Sequence, residues 1–101
     1  MNNKDKQLIA DYMELIFNPA RMSLYEYKDG REFKFNSTDA SFCVQEMQKR
    51  GDWERFCANV FILFIDEEKS SYLFPKYIAW LFNADNFFKG FVEWRKGNEQ
   101  G

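Results

Sequence analysis

Rings outnumber branched aliphatics in this chain: twelve Phe, five Tyr and three Trp stand against fourteen Leu, Ile and Val. Any core must therefore be assembled chiefly from flat side chains. Such side chains bury large areas and meet edge to face, contributing about 0.5–1.5 kcal/mol per favourable pair beyond area burial. In a chain of 101 residues that extra helps offset the entropy of ordering a domain with little interior. Halving the chain would leave two pieces too small to bury a core unaided. Residues 1–101 are therefore expected to form a single domain, with 98–101 a frayed tail.

Fourteen Lys and Arg against sixteen Asp and Glu give a formal net charge of −2. That balance argues against a polyanion-binding protein or an acidic nucleic-acid mimic. The opening Met1-Asn2-Asn3-Lys4-Asp5-Lys6 enters an amphipathic segment with no apolar h-region, so a cytoplasmic location is expected. The longest strongly apolar run, Val60 to Ile65, falls far short of the roughly 20 residues that span a bilayer, and no membrane partner is expected. Cys43 and Cys57 are expected as reduced, buried small hydrophobes rather than as a disulfide.

Leu8, Ile9, Tyr12, Met13 and Ile16 recur at helical spacing, which predicts a helix over 4–17 ended by Asn18-Pro19. Asp29-Gly30, between Met22–Lys28 and Arg31–Asn36, predicts a β-hairpin. A two-residue loop would put the rings of its strands on opposite faces. A three-residue loop, Lys28-Asp29-Gly30 with Gly30 left-handed, pairs Tyr27 with Arg31 and Tyr25 with Phe33, and so gathers Tyr25, Tyr27, Phe33 and Phe35 on one face. The longer loop is the expected one. Ser37-Thr38-Asp39 offers N-caps for a helix ending at Lys49-Arg50-Gly51, with Ala40, Cys43, Val44 and Met47 inward.

Asp52 precedes a run in which Trp53, Phe56, Cys57, Val60, Phe61 and Phe64 fall at helical steps, so 53–65 reads first as helix. A third strand over 59–65 is the rival, because Val-Phe-Ile-Leu-Phe-Ile also suits a buried strand and Asp66-Glu67-Glu68 would sit poorly at a helix C-terminus. Ser70-Ser71 begins a connection, and Pro75–Phe82 reads as a short helix with Ile78, Leu81 and Phe82 inward. Asp85 caps a last helix whose stripe is Phe87, Phe88, Phe91 and Val92, closed by Lys96 and Gly97. Gly90 costs that helix about 1 kcal/mol relative to Ala unless something packs closely against it. The expected class is α+β: an antiparallel hairpin over about 22–36, with 59–65 as the third-strand option, packed against several short helices.

Leu8-Ile9-Ala10-Asp11-Tyr12-Met13, Phe35-Asn36-Ser37-Thr38-Asp39 leading to Glu46-Met47, and Phe87-Phe88-Lys89-Gly90-Phe91-Val92-Glu93-Trp94 together resemble small proteins of bacteriophages and Bacteroidales mobile elements, some grouped as a phage α-β-α sandwich domain. The sequence departs from that pattern at Ala40, where such proteins often carry a tryptophan. The resemblance implies a phage or mobile-element origin and tilts 59–65 toward the strand. It implies no activity.

The chain has no histidine, which removes the commonest general base and the commonest nitrogen ligand for metals. Cys43 and Cys57 lack Cys-x-x-Cys spacing, and the five glycines form no phosphate loop, nucleophile elbow or dinucleotide fingerprint. No catalytic residue, metal ligand or cofactor is assigned. Carboxylates leave one disfavoured enzymatic route, a hard-cation site built on Asp66, Glu67 and Glu68 with Asp39 or Asp52.

Trp80, Trp94 and Arg95 fall off the inward stripes and are the candidate interface, since Trp and Arg are typical anchors. The expected function is therefore non-catalytic protein interaction or self-association, with another protein or a second copy as partner. The alternative is single-stranded nucleic acid held on the hairpin by Tyr25, Tyr27, Phe33 and Phe35 beside Lys28, Arg31 and Lys34. It is disfavoured because an isolated ribbon needs its apolar side covered.

Overall fold

A computed structural model describes residues 1–68 and 74–100, and all their side chains except 63, 65–68, 74–77 and 98–100. The elements are α1 (Asn3–Met13), β1 (Ile16–Phe17), β2 (Tyr25–Glu26), α2 (Ser37–Arg50), α3 (Trp53–Glu68), α4 (Phe74–Leu81) and α5 (Ala84–Gln100). The fold is a small α+β arrangement of five helices and an antiparallel two-stranded sheet. Among the described residues no helix is long and apolar enough to cross a membrane.

The first helix is shorter than its spacing predicts. Asn2 caps it by accepting the Asp5 N–H at 2.8 Å, and Glu14 ends it in the left-handed region at φ 55°. Ile16 and Phe17 then leave the helical path and pair as β1 with Glu26 and Tyr25. Asn18 holds the following loop closed: its N–H donates to the Leu24 carbonyl at 2.7 Å, and its side chain donates to Glu26 Oε2 at 3.0 Å. The apolar period of α1 runs on into Ile16, but the strand partner decides its conformation.

The hairpin has the expected register. The Tyr27 N–H donates to the Arg31 carbonyl at 2.7 Å, the Phe33 N–H to the Tyr25 carbonyl at 3.0 Å, and Gly30 sits at φ 91°. Its ladder is brief, however. The chain turns left-handed at Leu24 (φ 72°) and Phe35 (φ 58°), so only Glu26 bridges Glu32 opposite β2. The extra strand is therefore β1. Residues 59–65 lie inside α3, which corrects the third-strand option and the tilt that the phage resemblance gave it. The helical stripe wins because Phe56, Val60 and Phe64, at successive four-residue steps, are all buried.

Helix α2 carries its predicted caps with one change: Asn36, not the Ser-Thr-Asp that follows, accepts the Asp39 N–H, and Gly51 closes the helix at φ 76°. At the start of α5 Asn83 plays the same part for the Asp85 and Asn86 N–H groups, leaving Asp85 in the first turn rather than at the cap. Pro75 falls in the first turn of α4, as expected. The connection at Ser70-Ser71 lies outside the described residues, and α5 continues past Gly97 to Gln100.

Helix α5 packs on all four other helices, most extensively on α3. Gly90 explains how the two come so close. A Cβ at position 90 would stand 2.8 Å from both methyls of Val60, so the missing side chain is the contact. Phe87, Phe88, Phe91 and Val92 turn inward, where Phe91 meets Tyr12 edge to face at 5.3 Å and Phe56 meets Phe87 at 5.2 Å. The ring-built core expected from composition is present.

Candidate functional site

The hairpin does not present a stacking platform. Tyr25 and Phe33 are buried, and Tyr27 and Phe35 pack half-buried against the core. Phe33 meets Phe35 at 4.8 Å and Phe35 meets Phe88 of α5 at 5.5 Å, while Tyr25 meets Phe17 at 5.6 Å and Tyr27 meets Phe42 of α2 at 5.7 Å, so the ring face of the ribbon is covered. Bases have no access to Tyr25 or Phe33, which corrects the role given to them. The cations remain outside: Lys28 and Lys34 are exposed, and Arg31 pairs with Asp29 at 2.8 Å while lying over the Tyr27 ring at 4.9 Å.

Two tyrosines bring their hydroxyls inward with them, and each meets a carboxylate. Tyr27 donates to Asp39 Oδ1 at 2.6 Å, and Asp39 Oδ2 accepts the Lys34 N–H at 2.7 Å. Asp39 is consequently a buried carboxylate with its acceptors engaged, not an available ligand. Tyr12 likewise donates to Asp52 Oδ2 at 2.9 Å. Burial first, and then the bonded aspartate, pushes both hydroxyls above the ordinary tyrosine range. The partners proposed for a cation site are thus occupied with tyrosines, and the side chains of Asp66, Glu67 and Glu68 lie outside the described residues. Among the described residues no three His, Cys, Asp or Glu gather as metal ligands. Burial, helped by Asp39 and Glu46, also raises the Cys43 thiol, which disfavours the thiolate a nucleophile needs.

The three candidate interface residues do not form one patch. Trp94 is buried, edge-on to Tyr12 at 5.6 Å and to Phe91 at 5.7 Å, which corrects its placement on the surface. The cause is visible in the spacing, since Trp94 follows Phe91 by three positions and Phe87 by seven and so continues the inward stripe. Its indole nitrogen has no hydrogen-bond partner among the described residues. Trp80 is half-buried against Phe64 at 5.6 Å, and Arg95 is half-buried over the Tyr12 ring at 5.1 Å.

A different surface is left open. Between α2 and the α4–α5 junction lies a groove of about 340 Å³. Buried Leu81 and Phe87 and half-buried Ala40, Val44 and Trp53 line it, and Phe82 stands at its edge, 78% exposed. The rest of the lining, Ser37, Ser41 and Gln45, is exposed and uncharged. Among the described residues that line the groove none is ionised, although 30% of the sequence is Asp, Glu, Lys or Arg. A larger hollow of about 570 Å³ beside the hairpin differs: Lys6, Glu32, Lys34 and Asp85 give it charged walls.

Phe82 was expected inward and is the residue that helical spacing misplaced. Helix α4 ends at Leu81 and the Phe82 N–H closes its last turn on the Ile78 carbonyl at 3.0 Å, so Phe82 is the residue at the helix end and not one of its interior positions. One signal could have found it. With Asn83 as N-cap, Phe82 and Phe87 occupy the two positions of a hydrophobic staple, which marks Phe82 as a residue outside the helix. No family model, curated protein or solved structure matches the chain.

Proposed function

We propose that this chain is a non-catalytic interaction protein that docks an apolar partner surface in the groove between α2 and the α4–α5 junction. The observation that carries the reading is Phe82, 78% exposed on an apolar groove whose described lining carries no ionised side chain. Isolated exposed apolar residues are ordinary, but a large exposed ring next to an unfilled apolar hollow is the arrangement that binding surfaces use. Two further points favour binding over catalysis: the sequence contains no histidine, and Asp39 and Asp52 are committed to tyrosine hydroxyls. The resemblance to phage and mobile-element proteins supports an accessory role in the cytoplasm of a host cell.

A photoreactive phenylalanine analogue at position 82 tests this in the cells that make the protein. Irradiation is expected to give discrete covalent adducts, and the same analogue at exposed Glu93 is expected to give none. Equal labelling from the two positions would remove the groove's claim.

A further inference from the structure

We infer that Trp94, Tyr12 and Asp52 form an oxidation relay, in which an electron lost from the Trp94 indole is replaced from Tyr12 while the Tyr12 hydroxyl proton moves to Asp52. The relay is independent of the groove. Its first support is contact. Trp94 and Tyr12 are 3% and 4% exposed and meet edge to face with centroids 5.6 Å apart. The Tyr12 hydroxyl donates to Asp52 Oδ2 at 2.9 Å, inside the reach of about 2.6–3.2 Å that a proton acceptor needs. Tyr27 is the internal contrast: it donates to Asp39 at 2.6 Å, but its ring neighbours are Phe33 and Phe42, which are too hard to oxidise to hand it a hole.

Charge sets the direction of transfer. The Arg95 guanidinium lies 5.1 Å from the centroids of both Trp94 and Tyr12, and that of Arg50 lies 4.2 Å from Tyr12. A cation over a ring is attracted by the electron-rich neutral face, so a positive hole left on either ring is penalised. Only Tyr12 can shed that charge. Its hydroxyl faces a carboxylate, whereas the Trp94 indole nitrogen has no hydrogen-bond partner among the described residues. A one-electron oxidant of the peroxyl or carbonate radical class removes one electron from Trp94 and leaves a radical cation. Tyr12 then supplies one electron, its O–H bond breaks, and the proton forms an O–H bond on Asp52 Oδ2. The products are an intact indole, a neutral phenoxyl radical and a carboxylic acid. A one-electron reductant of the thiol or ascorbate class resets Tyr12, with the proton returned from Asp52. At 4% exposure the phenoxyl radical is meanwhile kept from coupling to other molecules.

Laser flash photoionisation of the full chain carrying Trp53→Phe and Trp80→Phe, which leaves Trp94 as its one indole, tests the proposal, with dissolved oxygen taking up the ejected electron. The indolyl radical absorption is expected to convert to tyrosyl radical absorption in a first-order phase whose rate does not change with protein concentration. Tyr12→Phe should abolish that phase and Tyr27→Phe should leave it unchanged. Asp52→Asn, which keeps the shape but not the base, should slow it about 100-fold or more. In the chain with all three tryptophans, Tyr12→Phe and Trp94→Phe should each remove the same phase, so the test stands even if the double variant does not fold. An absent conversion, one that survives Tyr12→Phe, or a rate indifferent to Asp52→Asn overturns the relay. None of these outcomes bears on Phe82 and the groove.

Discussion

Two ring-rich regions of this molecule meet water in opposite ways. At the hairpin, Tyr25, Tyr27, Phe33 and Phe35 turn into the core, and the polar ends that would resist burial have partners: Gln7 accepts from Tyr25, and Asp39 from Tyr27. At the α4–α5 corner Phe82 stays outside while Leu81, Phe87 and Trp53 surround a hollow that no described side chain fills. Ring content alone does not separate the two regions. A tyrosine with a carboxylate or amide within reach is sealed inside, and a ring just past a helix end is left out.

The sharpest way to break the contrast is to truncate one ring on each side. Phe33→Ala, at a fully buried position, should cost about 3–5 kcal/mol, a large share of the roughly 5–15 kcal/mol of a whole domain, and equilibrium urea unfolding measures it. Phe82→Ala should change stability by no more than about 0.5 kcal/mol. If both cost the same, the corner is core and not surface.

Gly90→Ala probes how tightly the sealed side is built. Its Cβ would fall 2.8 Å from both Val60 methyls. Overpacking of about 1–3 kcal/mol should therefore outweigh the gain of about 1 kcal/mol in helix propensity. Val60→Ala in the same chain should relieve the strain, giving a favourable coupling in a double-mutant cycle of melts.

Removing one tyrosine hydroxyl is a smaller perturbation. Tyr27→Phe leaves Asp39 with one acceptor unpaired and should cost about 1–3 kcal/mol. The same bond sets a pH dependence. Because Tyr12 and Tyr27 have folded-state values raised above the unfolded value of about 10, the unfolded chain releases these protons first as pH rises. The stability they contribute is whole below about pH 10 and declines above it. Denaturation midpoints measured from pH 8 to 12 should fall less steeply in Tyr12→Phe and Tyr27→Phe.

Much of the sealed side was legible in the residues themselves. Gly30 and the alternation of rings gave the hairpin register, and the four-residue steps of Phe56, Val60 and Phe64 gave the inner face of α3. The bare position at Gly90 pointed to a close neighbour, which is Val60. What escaped depended on contacts between elements. Ile16 fits a helix by spacing and becomes strand because Glu26 lies opposite it, and Asp39 resembles a helix cap until Tyr27 is folded over it. The groove was hidden for a related reason. Periodicity describes a side chain only while its helix lasts, and α4 ends one residue before Phe82.

The position of α5 at the centre of the packing has a consequence for how the chain is made. Ribosomes release residues in order, and α1 through α4 emerge before the helix against which all of them rest. Until residues 84–100 leave the exit tunnel, Phe56, Phe33 and Tyr12 lack the surface that closes over them. At about 5–20 residues per second, adding those residues takes about one to three seconds, during which these aromatic groups are without that cover.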